Sequence, residues 1–131
     1  MSTTRFSLSV QSTGQANRLA QRFALATLAR GDTIEQVFFY HDGVHAASGL
    51  LAPAEDDAER ADQWPTIADR GGFPLYVCIA AGARRGLVDT AEAERHGLPG
   101  PSLDPAFELV GLGSFVEGLL GADRLITFGN G

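Results

Sequence analysis

The stretch Leu75-Tyr76-Val77-Cys78-Ile79-Ala80 decides the fold, because it is an unbroken apolar run that follows the helix-ending pair Gly71-Gly72. A short continuous apolar run of this kind is typical of a strand buried on both faces, as in a parallel sheet. Val37-Phe38-Phe39-Tyr40 is a second such run. We therefore predict two buried strands, with Cys78 near the C-terminal end of one of them.

Helical patterns separate these runs from the rest of the chain. Apolar residues at three-and-four spacing predict a helix over residues 15–30, and a capping-box pattern begins a short helix at Asp89. The segment Glu55–Arg70 is predicted to be a helix with a kink or break at Trp64-Pro65, because proline disrupts a helix interior. Gly111-Leu112-Gly113-Ser114 is predicted to form a tight turn before the last helix.

Three further strands complete the pattern, at Phe6–Val10, Phe107–Val110 and Arg124–Phe128. Strands that alternate with helices favour an α/β sandwich with a mostly parallel sheet and right-handed crossovers. No repeat or linker interrupts the alternation. The sequence therefore predicts one α/β domain over residues 1–131, with a five-stranded sheet.

The composition limits the possible partners. The 131 residues include ten basic residues, all arginine, against sixteen acids, which gives a net charge of −6. Nucleic acid binding needs clustered cations, so we expect no direct contact with nucleic acid. No run approaches the roughly 18 apolar residues of a membrane span, and no signal peptide is visible. With one cysteine the chain can form no internal disulfide, so we expect a cytoplasmic protein.

Chemistry in parallel sheets gathers beyond the C-terminal ends of the strands. That edge should bring together Tyr40-His41-Asp42, the segment after Cys78, and the glycines around Leu112. Amide groups of the small residues after Cys78, together with Arg84 or Arg85, could favour a reactive thiolate there. The alternative is an inert core residue, because free cysteine is among the most buried residue types.

The other candidate motifs carry weaker signals. His41 and His45 have a spacing that suits two metal ligands, but Gly43 weakens a helix between them and no third ligand is near in sequence. Gly111-Leu112-Gly113 lacks the third glycine of a dinucleotide fingerprint and the lysine of a P-loop. We therefore expect neither a metal nor a cofactor, and assign the histidines to a polar rim.

Three stretches, spread over most of the chain, resemble the DsrE/TusD family of sulfur-relay proteins. They are residues 37–44, then Val77-Cys78-Ile79-Ala80-Ala81-Gly82-Ala83-Arg84-Arg85-Gly86 with Val88-Asp89 and Glu92-Ala93, and last Gly111-Leu112-Gly113 with Ala122-Asp123-Arg124 and Phe128. The resemblance implies a three-layer α/β subunit whose relay cysteine, matching Cys78, takes sulfane sulfur as a persulfide. Tyr40, His41, Arg84 and Arg85 would surround it.

The same resemblance implies the partners. It points to two related subunits in a dimer of heterotrimers, an upstream sulfur donor and a small downstream carrier protein. The pathway would be tRNA wobble-uridine 2-thiolation or dissimilatory sulfur oxidation, and the sequence does not separate the two. Two other functions remain open at this point: a thiol-based redox sensor, and a non-catalytic scaffold subunit.

The charge balance makes a direct prediction about RNA. We expect the isolated chain to have no appreciable affinity for tRNA at physiological salt, because its acids repel the phosphate backbone. A gel shift with low-micromolar protein checks this. A retarded band would contradict the prediction and would assign the terminal transfer step to this chain or its complex.

Overall fold

The computed structural model describes residues 3–51 and 63–129. Its centre is a five-stranded sheet with the strand order β4-β3-β2-β1-β5, in which every pairing is parallel. The elements in chain order are β1 (Arg5–Val10), α1 (Gln15–Ala29), β2 (Thr33–Phe39), a 3-10 helix (His41–Ala47), α2 (Trp64–Gly71), β3 (Leu75–Cys78), α3 (Ile79–Arg84), α4 (Thr90–Arg95), β4 (Glu108–Val110), α5 (Leu112–Leu120) and β5 (Arg124–Phe128).

Helices lie on both sides of the sheet, so the predicted three-layer α/β sandwich is confirmed. On the first side, the α1 face, Phe6 packs edge-on against Phe23 of α1, and Phe39 packs edge-on against Trp64 of α2. On the second side, the α5 face, Phe38 packs against Phe115 with ring centroids 4.6 Å apart. Within residues 3–51 and 63–129, none of the helices has the length and apolar character needed to cross a membrane.

A buried glutamine fixes α5 to the sheet. The Gln36 side chain is 1% exposed, and its Nε2 donates to Ser7 Oγ at 2.8 Å and to the Phe115 carbonyl at 3.0 Å. Gly118 lies directly above it, and a Cβ at that position would collide with the carboxamide of Gln36. The absence of a side chain at Gly118 therefore allows α5 to approach β2 closely.

Several predicted boundaries change in the structure. β3 ends at Cys78, and Ile79 and Ala80 open α3 instead of continuing the strand. The tight turn predicted for residues 111–114 is wrong, because Gly111 is the N-cap and Leu112 already begins α5. Because Gly111 itself caps the helix, no separate turn precedes it. The helix therefore begins at Leu112, three residues before Phe115.

Two local predictions are confirmed. Asp89 accepts a hydrogen bond from the Glu92 amide at 2.9 Å, as a capping residue does. The predicted break at Trp64-Pro65 is the start of α2, with the proline in the first turn, where its missing N–H costs no helical hydrogen bond. The predicted helical segment before it, residues 55–62, lies outside the described residues.

The contact between Gly118 and Gln36 predicts an unusual response to alanine. We expect Gly118→Ala to destabilise the fold by about 1–3 kcal/mol, because the new methyl group must displace a buried, hydrogen-bonded side chain. Gly113→Ala is the matched control in the same helix, since a Cβ there meets nothing within 4 Å. It should be neutral or stabilising by up to about 1 kcal/mol. Urea unfolding of both variants measures the difference, and equal stabilities would contradict the close approach.

Candidate functional site

Cys78 lies where the topology brings three strand ends together. β3 is placed between β2 and β4, so the end of β3 is flanked by Tyr40, which follows β2, and by Gly111, which follows β4. Phe38 pairs with Tyr76, and Cys78 pairs with Val110. Aligned residues of a parallel sheet share a face. Cys78 therefore belongs to the same face as Phe38, the face that α5 covers.

The thiol itself is covered. Cys78 is a free cysteine with 5% exposure and forms the N-cap of α3 with extended backbone angles. Its sulfur has no hydrogen-bond partner among the described residues, so the expected amide contacts from the following segment are not formed in this conformation. The small residues instead serve packing: a Cβ on Gly82 would lie 2.7 Å from the Leu87 carbonyl.

An ion pair connects the segments that follow β2 and β3. Arg85 Nε donates to Asp42 Oδ1 at 2.8 Å, and Arg85 Nη1 donates to the Ala81 carbonyl at 3.1 Å. The hydrogen bond and the charge of Arg85 lower the pKa of Asp42. Arg85 is thereby directed to a carboxylate and to the end of α3. Arg84 is exposed, and none of the described residues forms an ion pair with it.

Tyr40 and His41 form the rim on the other side. Their rings lie with centroids 4.1 Å apart, and the Tyr40 amide donates to the Val10 carbonyl at 3.0 Å. His41 has φ 48°, a left-handed conformation that is uncommon for a residue other than glycine. Gly43 then lies so close to β1 that a Cβ would collide with the Val10 carbonyl. The 3-10 helix is thus packed directly against the end of β1.

The two histidines do not form a ligand pair of the kind that their spacing suggested. The segment is a 3-10 helix with three residues per turn, so residues four apart do not share a face. In the described part of the chain, no three His, Cys, Asp or Glu side chains are grouped so that they could hold a metal ion. His96 lies elsewhere, with Nε2 at 3.1 Å from Glu92 Oε2.

A cavity of about 220 Å³ opens on the α5 face at the same edge. Tyr40 is part of its wall, together with aromatic and aliphatic residues of α5 and β5 that the sequence had not identified. The signal for them was present, because α5 is apolar around most of its circumference. The lining residues are Ser9, Gln11, Phe38, Tyr40, Leu112, Phe115, Leu125 and Thr127.

These features define a three-layer α/β protein with a single thiol at the C-terminal edge of a parallel sheet. The chain matches the DsrE/DsrF-like family over residues 6–128. The chain therefore belongs to this family.

Curated relatives agree with that membership. The chain is 45% identical to the sulfurtransferase TusD homolog of Pseudomonas aeruginosa, over 87% of each chain. It is 43% identical to the sulfurtransferase TusD of Cronobacter sakazakii, over 83% of this chain and 85% of that one. It is 42% identical to the DsrE protein of Allochromatium vinosum, over 88% and 89%.

A solved structure extends the agreement to the fold. The crystal structure of the ychN protein from E. coli aligns with a TM-score of 0.63, at 17% identity, over 97% of this chain and all of the other. The overall fold is thus maintained at low sequence identity.

The Asp42–Arg85 pair makes a prediction about acid titration. We expect the Asp42 carboxyl to titrate below the ordinary range, because its folded-state pKa is lowered by Arg85. Its contribution to stability is then present at neutral pH and disappears as the pH falls through the lowered pKa. Carbon-detected NMR of the side-chain carboxyl follows this, and Arg85→Gln should move the midpoint upward. Arg84→Gln is the matched control, and an Asp42 midpoint unmoved by Arg85→Gln would refute the coupling.

Proposed function

We propose that this chain is a sulfurtransferase subunit of a sulfur relay, in which Cys78 carries the transferred sulfur as a persulfide. The observation that supports it is the position of the single cysteine at the edge of the sheet, in a chain whose relatives are named sulfurtransferases. TusD is the name of several of these relatives, and DsrE of another.

The proposed chemistry needs only thiols. The Cys78 thiolate attacks the outer sulfur of a donor persulfide, the sulfur–sulfur bond of the donor breaks, and the donor leaves as a thiolate. The acceptor thiolate then attacks the outer sulfur of the Cys78 persulfide. The sulfur–sulfur bond breaks, and Cys78 is released as a thiolate again. No net oxidation occurs and no cofactor is required. Because the chain has no second cysteine, its persulfide cannot collapse to an internal disulfide.

The surroundings of Cys78 receive roles in this proposal. Tyr40 and His41 follow β2, the strand next to β3, and we propose that they form the rim of the sulfur site, while the Arg85–Asp42 pair connects the 3-10 helix to the end of α3. Arg84 is exposed and forms no ion pair with another described residue, and we propose it as the cation that favours a thiolate or persulfide anion. The low exposure of Cys78 means that sulfur transfer requires a local opening of its cover.

The proposed setting is a cytoplasmic hetero-oligomer. It contains two related subunits, receives sulfur from an upstream donor and passes it to a small carrier protein. The TusD and DsrE names of the relatives support membership of such a relay. The end use is tRNA wobble-uridine 2-thiolation or dissimilatory sulfur oxidation, and we expect no direct contact with the nucleic acid because of the net charge of −6.

One observation favours a second candidate function. Cys78 is buried, and a buried thiol without hydrogen bonds suits a non-catalytic scaffold subunit that positions a partner. A redox sensor is the remaining alternative, and it would form sulfenic acid in preference to a persulfide. The three functions differ in what becomes attached to the sulfur.

Intact mass spectrometry separates them. After incubation with inorganic polysulfide and removal of excess reagent, we expect the wild-type chain to gain the mass of one sulfur atom, which reductant removes. Cys78→Ser is the matched control and should gain nothing. Oxygen increments in place of sulfur after mild peroxide and polysulfide treatment would favour the sensor. An unmodified wild-type chain, with Cys78 unreactive toward alkylating reagents until it unfolds, would favour the scaffold.

A further inference from the structure

Helix α5 is apolar on its outward side as well as on the side that packs against the sheet. Leu112, Val116 and Leu120 recur every four residues and are 54%, 53% and 83% exposed. Leu125 of β5 is 44% exposed beside them and shares their face. A surface helix normally turns polar residues outward. These four residues, which we call the α5 strip, therefore form a surface suited to burial by another protein.

Three carboxylates lie in α5, at its C-terminal end or on the same face of the sheet. Glu117 is the one ionisable residue of α5, and Glu108 is placed on the α5 face by its pairing with Tyr76. Glu35 reaches the end of the helix, since a Cβ on Gly121 would lie 3.5 Å from its Oε2. None of these three acids forms an ion pair with another described residue.

The arginines of β1 and β5 do not neutralise these three carboxylates. Arg5 pairs with Asp123 at 3.5 Å, and Arg124 is in register with Phe6, which puts it on the α1 face. The α5 face therefore combines an apolar centre with a rim of unpaired negative charge. Such a surface is complementary to one with an apolar centre and a rim of arginine or lysine.

The cavity described above continues the α5 strip toward the site. Leu112 and Leu125 belong to both, and no charged side chain lines the cavity. Its volume of about 220 Å³ is below the roughly 300–1,000 Å³ of small-molecule sites. An apolar cavity of this size at the end of an apolar strip suits a single side chain from a docked protein, in the manner of an interface hot spot.

We propose that the α5 strip is the docking surface for a different subunit, whose contact surface is apolar at its centre and basic at its rim, and which inserts one apolar side chain into the cavity. A second copy of this chain on the same face would set acid against acid. This inference rests on the hetero-oligomer of the proposed function and assigns its contact surface. The partner then covers the same face of the sheet that carries Cys78.

Co-expression with the two related subunits of the same organism tests the surface. Molar masses are measured by size-exclusion chromatography with light scattering, and affinities by titration at two salt concentrations. Val116→Asp with Leu120→Asp should weaken assembly by at least about 30-fold, because aspartate would be buried at the contact. Leu19→Asp, at an exposed leucine of α1, is the matched control and should assemble as wild type.

Charge reversal provides a variant that does not alter apolar packing. Glu117→Arg should weaken assembly by about three- to tenfold, and higher salt should reduce the difference. Glu94→Arg, at an exposed carboxylate of α4, is its control. Thermal unfolding of each isolated variant separates a lost contact from a lost fold.

Each outcome has a definite meaning. Normal assembly of folded Val116→Asp/Leu120→Asp overturns the surface but leaves the hetero-oligomer intact. A wild-type chain that joins neither related subunit overturns both the docking surface and the hetero-oligomer. The persulfide on Cys78 is tested separately by mass spectrometry. A homodimer of the wild type that the double variant dissolves overturns the proposal in favour of a second copy. Wild-type assembly that both α5 variants weaken and both controls preserve supports it.

Discussion

A parallel sheet must be covered on both faces, and this constraint governs the rest of the structure. The described helices distribute the cover unequally. α1 and α2 bury the first face, and α5 lies on the second, held there by Gln36. Because one helix of nine residues is narrower than five strands, the second face is less completely covered. The exposed strip, the open cavity and the half-buried Tyr76 all follow from that difference.

Burial also explains the position of the thiol. Cys78 ends a strand and caps a helix, so its backbone belongs to the rigid frame, while its side chain faces the thinly covered layer. A cysteine deeper in β3 would be inaccessible to another protein, and one in a loop would lack a fixed position. For the persulfide carrier proposed above, the edge would give the sulfur a defined location beneath a cover that must open locally.

The sequence predicted the parts of this arrangement that depend on local pattern. Continuous apolar runs predicted the buried strands, and the rule for parallel sheets placed Tyr40 and Cys78 at one edge. The strand end at Cys78 could not be predicted, because Ile79 and Ala80 suit a strand and a helix equally. The Asp42–Arg85 pair joins residues 43 positions apart, and only the tertiary fold determines which of two adjacent arginines makes it. The sequence shows that the outward side of α5 is apolar, but only the tertiary fold determines whether that side is exposed.

Gly43 fixes the position of the 3-10 helix at the sheet edge independently of the side chains that determine the charge of that edge. The Val10 carbonyl occupies the space that any side chain at position 43 would need, so the distance between the 3-10 helix and the sheet is fixed by backbone contact alone. Asp42 and His45, which lie near Gly43 in the 3-10 helix, are exposed and free of that restriction. Substitutions at those two positions can therefore change the charge of the rim over evolutionary time without changing the distance between the 3-10 helix and β1.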